Sequence, residues 1–222
     1  MIEYCYLRGL LGEEIVGIAD GLYRLYLCER RDIEPIICAN HYSRTMPKNA
    51  RFCLKVFYDG EVSGALSLGY GIRPEIKASW GQINKGEYLE FDRMWLSDVP
   101  PKNSESKVIS LLVKLLRQIA PEVRYLISYA DGTVGNTGTI YRASNFKELP
   151  PIKADFYILA DGSRVHPVTM WHRHKTRAWA AMSAIYPGIR KAVGVQHRFI
   201  LKIRDRRKRR GHIVTACEGQ PG

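Results

Sequence analysis

A strand, a helix and a second strand follow one another in the middle of the chain, and this order constrains the fold most. Residues 86–96 (GEYLEFDRMWL) and 123–129 (VRYLISY) are rich in aromatic and branched side chains, which favour strands. Between them, apolar residues recur at helical spacing, Asn103 or Ser104 can cap the helix, and Pro121 ends it. This succession predicts an α/β fold. The apolar stripe of the helix consists of Leu111, Leu112, Leu115, Leu116 and Ile119.

The flanking segments indicate a mixed sheet. Residues 51–58 and 61–70 are rich in strand formers and flank Asp59-Gly60, a dipeptide typical of tight hairpin turns. An antiparallel hairpin before the strand–helix–strand unit predicts a mixed central sheet flanked by helices. The other predicted elements are a short helix at 139–144, a strand at 155–159, a helix at 168–186 and a strand at 197–203.

Positive charge is concentrated near the C-terminal end of the chain, whose net charge is +12. Residues 1–160 carry 20 Lys/Arg and 19 Asp/Glu, whereas residues 161–222 carry 14 and 3, most densely at 204–210. A basic segment after a nearly neutral body favours a polyanionic partner, most commonly DNA or RNA. We therefore predict a core at 1–160 and a basic extension at 161–222 that completes the fold and contacts the nucleic acid.

Two other interpretations of the extension stay open at this stage. A solvated tail would only raise solubility, and an anionic membrane surface would attract the same charges. No membrane partner is expected, because the tail has no bulky apolar face and no apolar run approaches the roughly 20 residues of a membrane span. Acidic residues near the N-terminus and five cysteines without a C-x-x-C pair favour a cytoplasmic protein with free thiols.

The short predicted helix carries a first family resemblance. Residues 139–146 (TIYRASNF) resemble the GNAT acyltransferase helix that places a Tyr beside the thioester of acetyl-CoA. In that family a Q/R-x-x-G-x-G/A loop precedes the long helix, whose N-terminus holds a pyrophosphate. Residues 102–107 (KNSESK) occupy that place without glycines. The resemblance implies a GNAT-like fold with acetyl-CoA as cofactor, and the missing glycines count against ordinary acetyl-CoA binding.

A narrower resemblance covers most of the chain. The segments HYSR at 41–44, EFDRMW at 90–95, NSES at 103–106 and SYADG at 128–132, followed by a basic C-terminus, are similar to the Mom family of phage proteins. The resemblance implies an enzyme that converts adenine in DNA to N6-(carbamoylmethyl)adenine, also called acetamido- or methylcarbamoyl-adenine. In this family the modification protects phage DNA from host restriction.

Three residues in the matching segments are candidates for catalysis. His41, as a neutral imidazole, can accept a proton from the attacking amine, and Tyr42 can donate to a developing charge. Asp131 follows a predicted strand, where α/β sheets place their ligands, and can orient His41 or accept the N6–H of adenine. The structural alternatives are a His41 that caps a helix and an Asp131 that forms a turn.

Four further residues are expected to hold the cofactor. Ser104 and Ser106 would present hydroxyl and backbone N–H groups to the pyrophosphate. Tyr141 would reach the thioester, and Arg93 would bind a phosphate or carbonyl oxygen of CoA. The alternatives are a packed aromatic ring for Tyr141 and a neighbouring carboxylate as the partner of Arg93, because a buried Arg needs a partner.

The basic extension supplies the predicted DNA contacts. On one continuous helix, Trp171, Lys175 and Trp179 would share one side, and Arg173 and Arg177 another. Such an aromatic and basic surface favours contact with DNA phosphates without reading the sequence. The residues expected to contact DNA are Arg173, Lys175, Arg177, Arg206, Arg207, Lys208, Arg209 and Arg210.

We therefore expect a DNA-modifying transferase that acts on a flipped-out or single-stranded adenine. Plain acyl transfer would join N6 to the carbonyl carbon of acetyl-CoA, whereas the family product is joined through CH2 and bears a terminal amide nitrogen. A metal ion of unknown identity near His41 and Asp131 is therefore an additional expectation. The alternatives are an ordinary N-acetyltransferase and an inactive nucleic-acid-binding protein. The oligomeric state is open, with a homodimer as one option.

Overall fold

A computed structural model describes residues 2–9, 12–71, 75–78 and 81–203. Its helices are α1 (Arg30–Asn40), α2 (Ser104–Ile119), α3 (Thr139–Ala143), α4 (Pro167–His174) and α5 (Trp179–Ile185). The first nine strands are β1 (Ile2–Gly9), β2 (Gly12–Asp20), β3 (Tyr23–Cys28), β4 (Ala50–Tyr58), β5 (Glu61–Tyr70), β6 (Glu75–Ala78), β7 (Gly81–Asn84), β8 (Tyr88–Leu96) and β9 (Tyr125–Asp131). The later strands are β10 (Lys147–Lys153), β11 (Tyr157–Ile158), β12 (Arg164–Val165), β13 (Arg190–Lys191) and β14 (Val195–Lys202).

The centre of the fold is a nine-stranded sheet in the order β1-β2-β3-β4-β5-β8-β9-β14-β10. All neighbours in this sheet are antiparallel except β8 and β9, which are parallel because α2 carries the chain from one to the other. The strands β11, β12 and β13 form a separate small sheet, and β6 pairs with β7. The predicted α/β fold with a mixed sheet flanked by helices is confirmed.

Helices cover both faces of the central strands. The stripe of α2 packs on one face, where Val108, Leu111 and Leu115 are fully buried. On the other face, Ile33 and Ile37 of α1 pack against the sheet and are fully buried as well. Burial of both faces explains why β5 is apolar along most of its length instead of alternating.

Local signals in the sequence predicted several elements correctly. The hairpin of β4 and β5 turns at Asp59-Gly60, where both residues have positive φ (51° and 86°), as a tight hairpin turn requires. The strands β8 and β9 and the helix α2 lie where they were expected. Asn103 occupies the capping position of α2, but it has a left-handed conformation (φ 69°) and its side chain makes no capping hydrogen bond.

Other elements differ from the prediction. The helix expected at 168–186 is two helices, because Lys175 ends α4 in a left-handed conformation (φ 56°). The strand expected at 155–159 is only Tyr157–Ile158, in the small sheet. The strand β10 was not predicted because it contains Pro150-Pro151, which an edge strand tolerates.

The part of the chain beyond residue 160 contributes to the central sheet, since β14 lies between β9 and β10. The domain boundary at residue 160 stays a prediction. Within the described ranges, no helix is both long and apolar enough to cross a membrane. Five of the predicted DNA contacts lie outside the described residues: Arg206, Arg207, Lys208, Arg209 and Arg210.

Candidate active site

The two parallel strands separate at their carboxyl ends and leave an opening in the sheet. Pairing between β8 and β9 extends only from Tyr88–Tyr125 to Glu90–Ile127, although β8 continues to Leu96 and β9 to Asp131. Just beyond the last pair, the Ser128 hydroxyl donates to the Phe91 carbonyl at 3.1 Å. Openings at the carboxyl ends of parallel strands are where α/β sheets bind ligands.

Tyr141, on α3, lies over this opening. Its ring packs against Phe91, Phe146 and Phe199, with centroid distances of 6.2, 5.3 and 5.2 Å. Burial raises the pKa of Tyr141 to about 12, and a hydrogen bond with Ser128 opposes the rise. The phenol is therefore neutral at physiological pH and can donate a hydrogen bond.

His41 and Tyr42 follow the C-terminus of α1, where the His41 amide donates to the Ile37 carbonyl. The centroids of the two rings lie 4.3 Å apart, and the ring planes are tilted by 34°. Burial, and secondly the charge of Arg93, lower the pKa of His41 to about 4, so the ring is neutral at pH 7. The Ser43 amide donates to Nδ1 of His41 (3.1 Å), which favours the tautomer with its proton on Nε2.

Arg93 connects the strand β8 to the loop after His41. Its Nε donates to the Thr45 carbonyl (3.0 Å), and its Nη1 donates to the Asp92 carbonyl (2.7 Å). These partners are backbone oxygens, not the carboxylate considered as the alternative. The charge of Arg93 lowers the pKa of His41 and opposes the rise in the pKa of Tyr141, so the guanidinium lies within electrostatic range of both rings.

Asp131 ends β9 and is nearly buried, with 8% of its surface exposed. One carboxylate oxygen accepts hydrogen bonds from the Thr133 amide (3.0 Å) and hydroxyl (2.5 Å), and this closes a turn, as the structural alternative stated. Burial raises the pKa of Tyr42, with Asp131 adding to the rise and Arg93 opposing it. Asp131 is thus both a turn residue and a neighbour of Tyr42.

Arg164, on β12, is a site residue that the sequence did not reveal. It forms an ion pair with the second carboxylate oxygen of Asp131 and donates to the Thr133 hydroxyl. Its guanidinium lies 5.2 Å from the centre of the Phe156 ring. No motif links Arg164 to Asp131, which is 33 positions away, so only the folded chain shows the contact.

Replacing Arg164 with glutamine should lower the rate of the DNA modification expected from the sequence about 10- to 100-fold, because a hydrogen bond to a charged group is worth about 1.5–3 kcal/mol. Arg164→Lys keeps the charge but not the forked geometry, so its rate should lie between those of Arg164→Gln and the wild type. The matched control is Arg190→Gln, which removes the same charge from β13, another strand of the same small sheet. Initial rates on one DNA substrate give the comparison, and equal rates for Arg164→Gln and the wild type would contradict this role.

Asp92 lies next to Arg93 on β8 and is a second titratable group with a displaced pKa. Burial, and secondly the neighbouring charge of Glu90, raise the pKa of Asp92 to about 7, and Arg93 opposes the rise. Its Oδ2 atom is buried and has no hydrogen-bond partner among the described residues. Displaced pKa values of this kind concentrate at functional sites.

His41 and Asp92 should affect the free energy of unfolding in opposite directions between pH 4 and pH 6.5. His41 binds a proton there only in the unfolded chain, so its contribution to stability is lost as the pH falls. Asp92 binds a proton there only in the folded chain, so its contribution is lost as the pH rises. Each contributes a slope of at most about 1.4 kcal/mol per pH unit.

Urea unfolding at several pH values can separate the two contributions. Relative to the wild type, His41→Gln should gain less stability, or lose more, as the pH rises from 4 to 6.5, and Asp92→Asn should gain more, or lose less, as the pH rises from 4 to 7. Parallel pH profiles for the two variants would show that neither pKa is displaced as described.

The first turn of α2 holds the two serines expected at the pyrophosphate. The Ser104 hydroxyl is buried, lies 2.7 Å from the Tyr23 hydroxyl and donates to the Pro101 carbonyl. Ser106 accepts a hydrogen bond from Ser144 (3.2 Å). The hydroxyl of Ser104 is therefore used inside the protein, and the turn can offer a ligand its backbone N–H groups and Ser106.

The expected metal site is not supported. No group of three or more His, Cys, Asp or Glu side chains among the described residues could hold a metal ion. The two candidates are also engaged elsewhere, since Nδ1 of His41 accepts from Ser43 and both oxygens of Asp131 accept from Thr133 or Arg164. These residues do not fit a metal ion.

The predicted DNA contacts at the end of α4 are exposed. Arg173, Lys175 and Arg177 all reach solvent, together with Trp171 (50% exposed) and Trp179 (41% exposed). Because the chain bends at Lys175, these residues do not share the two sides of one helix, and that part of the prediction is wrong. They still form a basic and aromatic surface on the small sheet and its helices.

Comparison with known proteins agrees with this geometry. The profile of the Mom protein family matches residues 23–216. The methylcarbamoylase Mom of Escherichia phage Mu is 39% identical over 137 residues, which cover 61% of this chain. The matched part spans 56% of the length of that relative.

Two solved structures have similar chains. A protein of Chromobacterium violaceum assigned to the GNAT family of acetyltransferases is 8% identical, with a TM-score of 0.51 and coverage of 85% of this chain and 91% of its own. A Salmonella typhimurium acetyltransferase described with its cofactor acetyl-CoA is 11% identical, with a TM-score of 0.47 and coverage of 84% and 97%. The first shows a common fold. From the family match, the chain belongs to the Mom protein family.

Proposed function

We propose that this protein transfers a carbamoylmethyl group to N6 of adenine in DNA, and so protects phage DNA from restriction in the cytoplasm of the infected bacterium. The observation that carries the proposal is the convergence of His41, Tyr42, Arg93, Asp131 and Tyr141 at the open ends of β8 and β9. The match to a methylcarbamoylase supports the choice of reaction.

The base must leave the duplex to reach this site, because N6 of a stacked adenine is not accessible to the side chains around the opening. Tyr42 is 57% exposed and its ring is supported by His41. An exposed and supported aromatic ring is a suitable surface for stacking an extruded or single-stranded adenine. Asp131, at the end of β9, would then accept a hydrogen bond from the N6 amine.

His41 would take the proton that N6 loses. Its low pKa keeps the ring neutral, and proton acceptance at Nε2 requires the tautomer with the proton on Nδ1. The Ser43 hydroxyl lies 2.8 Å from Nδ1 and can accept from Nδ1–H in that tautomer. Ser43 therefore contacts His41 in both tautomers, through its amide in one and its hydroxyl in the other.

The opening would hold acetyl-CoA, whose two-carbon unit is activated as a thioester. The neutral Tyr141 hydroxyl can donate to its sulfur or carbonyl oxygen, and Arg93 lies close by with a positive charge. Ser106 and the first N–H groups of α2 are suited to the pyrophosphate. Acyl transfer alone would give an N6-acetyl amide and release CoA, so the CH2–N bond and the terminal amide of the proposed product need a nitrogen donor and a two-electron oxidant in addition, and no step to that product is assigned to these residues.

Restriction of DNA from expressing cells tests the proposed function. DNA from cells that express the full chain should resist restriction enzymes whose sites contain adenine, while an enzyme with only G and C in its site cuts as usual. DNA from cells that express Asp131→Asn should be cut by both. Fully sensitive DNA together with newly acetylated cell proteins would support an ordinary N-acetyltransferase instead.

Binding of CoA tests the cofactor separately. Calorimetry should detect CoA binding to the purified chain, and Tyr141→Ala should weaken it, because the substitution removes the ring that lies over the opening. Tyr141→Phe keeps the ring packing and removes only the hydroxyl, so it should bind CoA while losing modification activity. No heat and no thermal shift at millimolar CoA would contradict the cofactor assignment.

A further inference from the structure

A basic groove of about 970 Å³ lies beside α2, and Ser106 in the first turn of that helix lines one end of it. One wall is α2, and the other is formed by the ends of β9, β14 and β10. The five-residue helix α3 reaches only one end of the groove. The described residues that line it include no Asp or Glu and five cations: Lys114, Arg117, Arg124, Lys147 and Lys202.

Two of these cations, Arg124 and Arg117, differ in how the protein satisfies them. Arg124 pairs with Glu87 at 3.2 Å at the edge of the groove. In contrast, the Nε atom of Arg117 is buried and has no hydrogen-bond partner in the described part of the chain. A buried N–H without a partner is unfavourable, so the groove is suited to an anionic ligand that supplies an acceptor.

We propose that this groove binds consecutive phosphates of one DNA strand. The proposal rests on the proposed function for the identity of the nucleic acid. Along α2 the groove runs from Ser106 to Arg117, a rise of about 16 Å, over which a B-DNA strand passes several phosphates at about 3.4 Å per nucleotide along the axis. Lys114 and Arg117 lie within one turn of α2, and Lys202 pairs with Tyr125, next to Arg124, so these four cations lie toward the Arg117 end of the groove.

The strand β9 connects the groove to the candidate active site, and the distance between the two suits DNA. The strand β9 runs from Tyr125 at the groove to Asp131 at the candidate active site, about 20 Å away. A duplex that delivers an adenine to Asp131 would cover this distance in about six base steps. The groove would thus hold the backbone on one side of the target base.

The sequence after the described residues favours a long polyanion as the ligand of this groove. The Ile203 amide donates to the Arg124 carbonyl (2.8 Å), so the chain leaves the described part beside the groove. The next seven residues, 204–210, contain six Lys or Arg and one Asp.

Salt-dependent DNA binding tests the groove. The double variant Lys114→Glu/Arg117→Glu should lower the slope of log K against log salt by about 2, at about 0.9 for each lost phosphate contact, and weaken binding at least ten-fold. The matched control is Arg24→Glu/Arg31→Glu, which changes the charge equally on the other face of the sheet and should keep the slope. If the first double variant melts early, the milder Lys114→Gln/Lys202→Gln should give a slope change in the same direction.

The outcomes separate this proposal from the proposed function. Weakened DNA binding by the groove variants supports the groove even if the full chain modifies no adenine. An unchanged slope in both groove variants overturns the groove even if adenine is modified. Titration with CoA distinguishes the source of the phosphates: loss of CoA binding without loss of DNA binding assigns the groove to the cofactor and overturns the proposal.

Discussion

Replacing His41 with asparagine should lower adenine modification about 10²- to 10⁴-fold, the range expected when a general acid–base group is removed. The asparagine side chain can still accept from the Ser43 amide, as Nδ1 does. It has no counterpart of Nε2, the atom that would take the proton from adenine N6. Single-turnover rates on duplex DNA, with thermal melting of both proteins, provide the measurement.

Ser43→Ala is the matched control for this substitution. It keeps the imidazole and removes only the hydroxyl that accepts from Nδ1–H, so activity should fall less than in His41→Asn. A His41→Asn protein that melts like the wild type and modifies DNA at the normal rate would remove His41 from the reaction.

Replacing Phe199 with alanine should lower the free energy of unfolding by about 3–5 kcal/mol, as is typical when a buried phenylalanine is truncated. Phe199 is fully buried on β14, and its ring packs 5.2 Å from the Tyr141 ring. It also fills the space beside Gly138, a residue with a φ of 75° where a side chain would collide with this ring. The cavity would therefore form directly behind Tyr141, and urea unfolding would measure its cost.

Phe199→Leu separates the loss of packing from the loss of the aromatic ring. Leucine refills most of the volume and should recover most of the stability. It does not hold the Tyr141 ring as the phenylalanine ring does, so the modification rate should stay below that of the wild type. A loss under about 1 kcal/mol in Phe199→Ala, a value typical of surface sites, would contradict the packing described for this part of the sheet.

Local sequence signals were sufficient for the central elements of the fold. The stripe of α2 and the turn at Asp59-Gly60 depend on neighbours in sequence, and both lie where periodicity and turn chemistry predicted. The break at Lys175 could not be read in this way, because a lysine in a left-handed conformation leaves no compositional signal. Pro150-Pro151 gave the wrong indication for β10, since only the position at the sheet edge makes a strand with prolines acceptable.

The candidate site likewise contains residues that local sequence patterns predicted and residues that only the folded chain shows. His41, Tyr42 and Asp131 belong to short segments with a recognisable family pattern, and the fold places them near one another. Arg164 and the cations around Arg117 carry no such pattern, because their surroundings come from strands and helices distant in sequence. Ser104 shows the converse case, in which a suitable residue type at a helix N-terminus has its hydroxyl bound to Tyr23 instead.

Mass spectrometry of nucleosides from DNA of cells that express the full chain tests the central claim most directly. We expect a deoxyadenosine that is heavier by one carbamoylmethyl group, with the added mass on the base, and its absence in cells that express His41→Asn. Unmodified deoxyadenosine alone, in cells that contain the folded full-length protein, would contradict the proposed reaction.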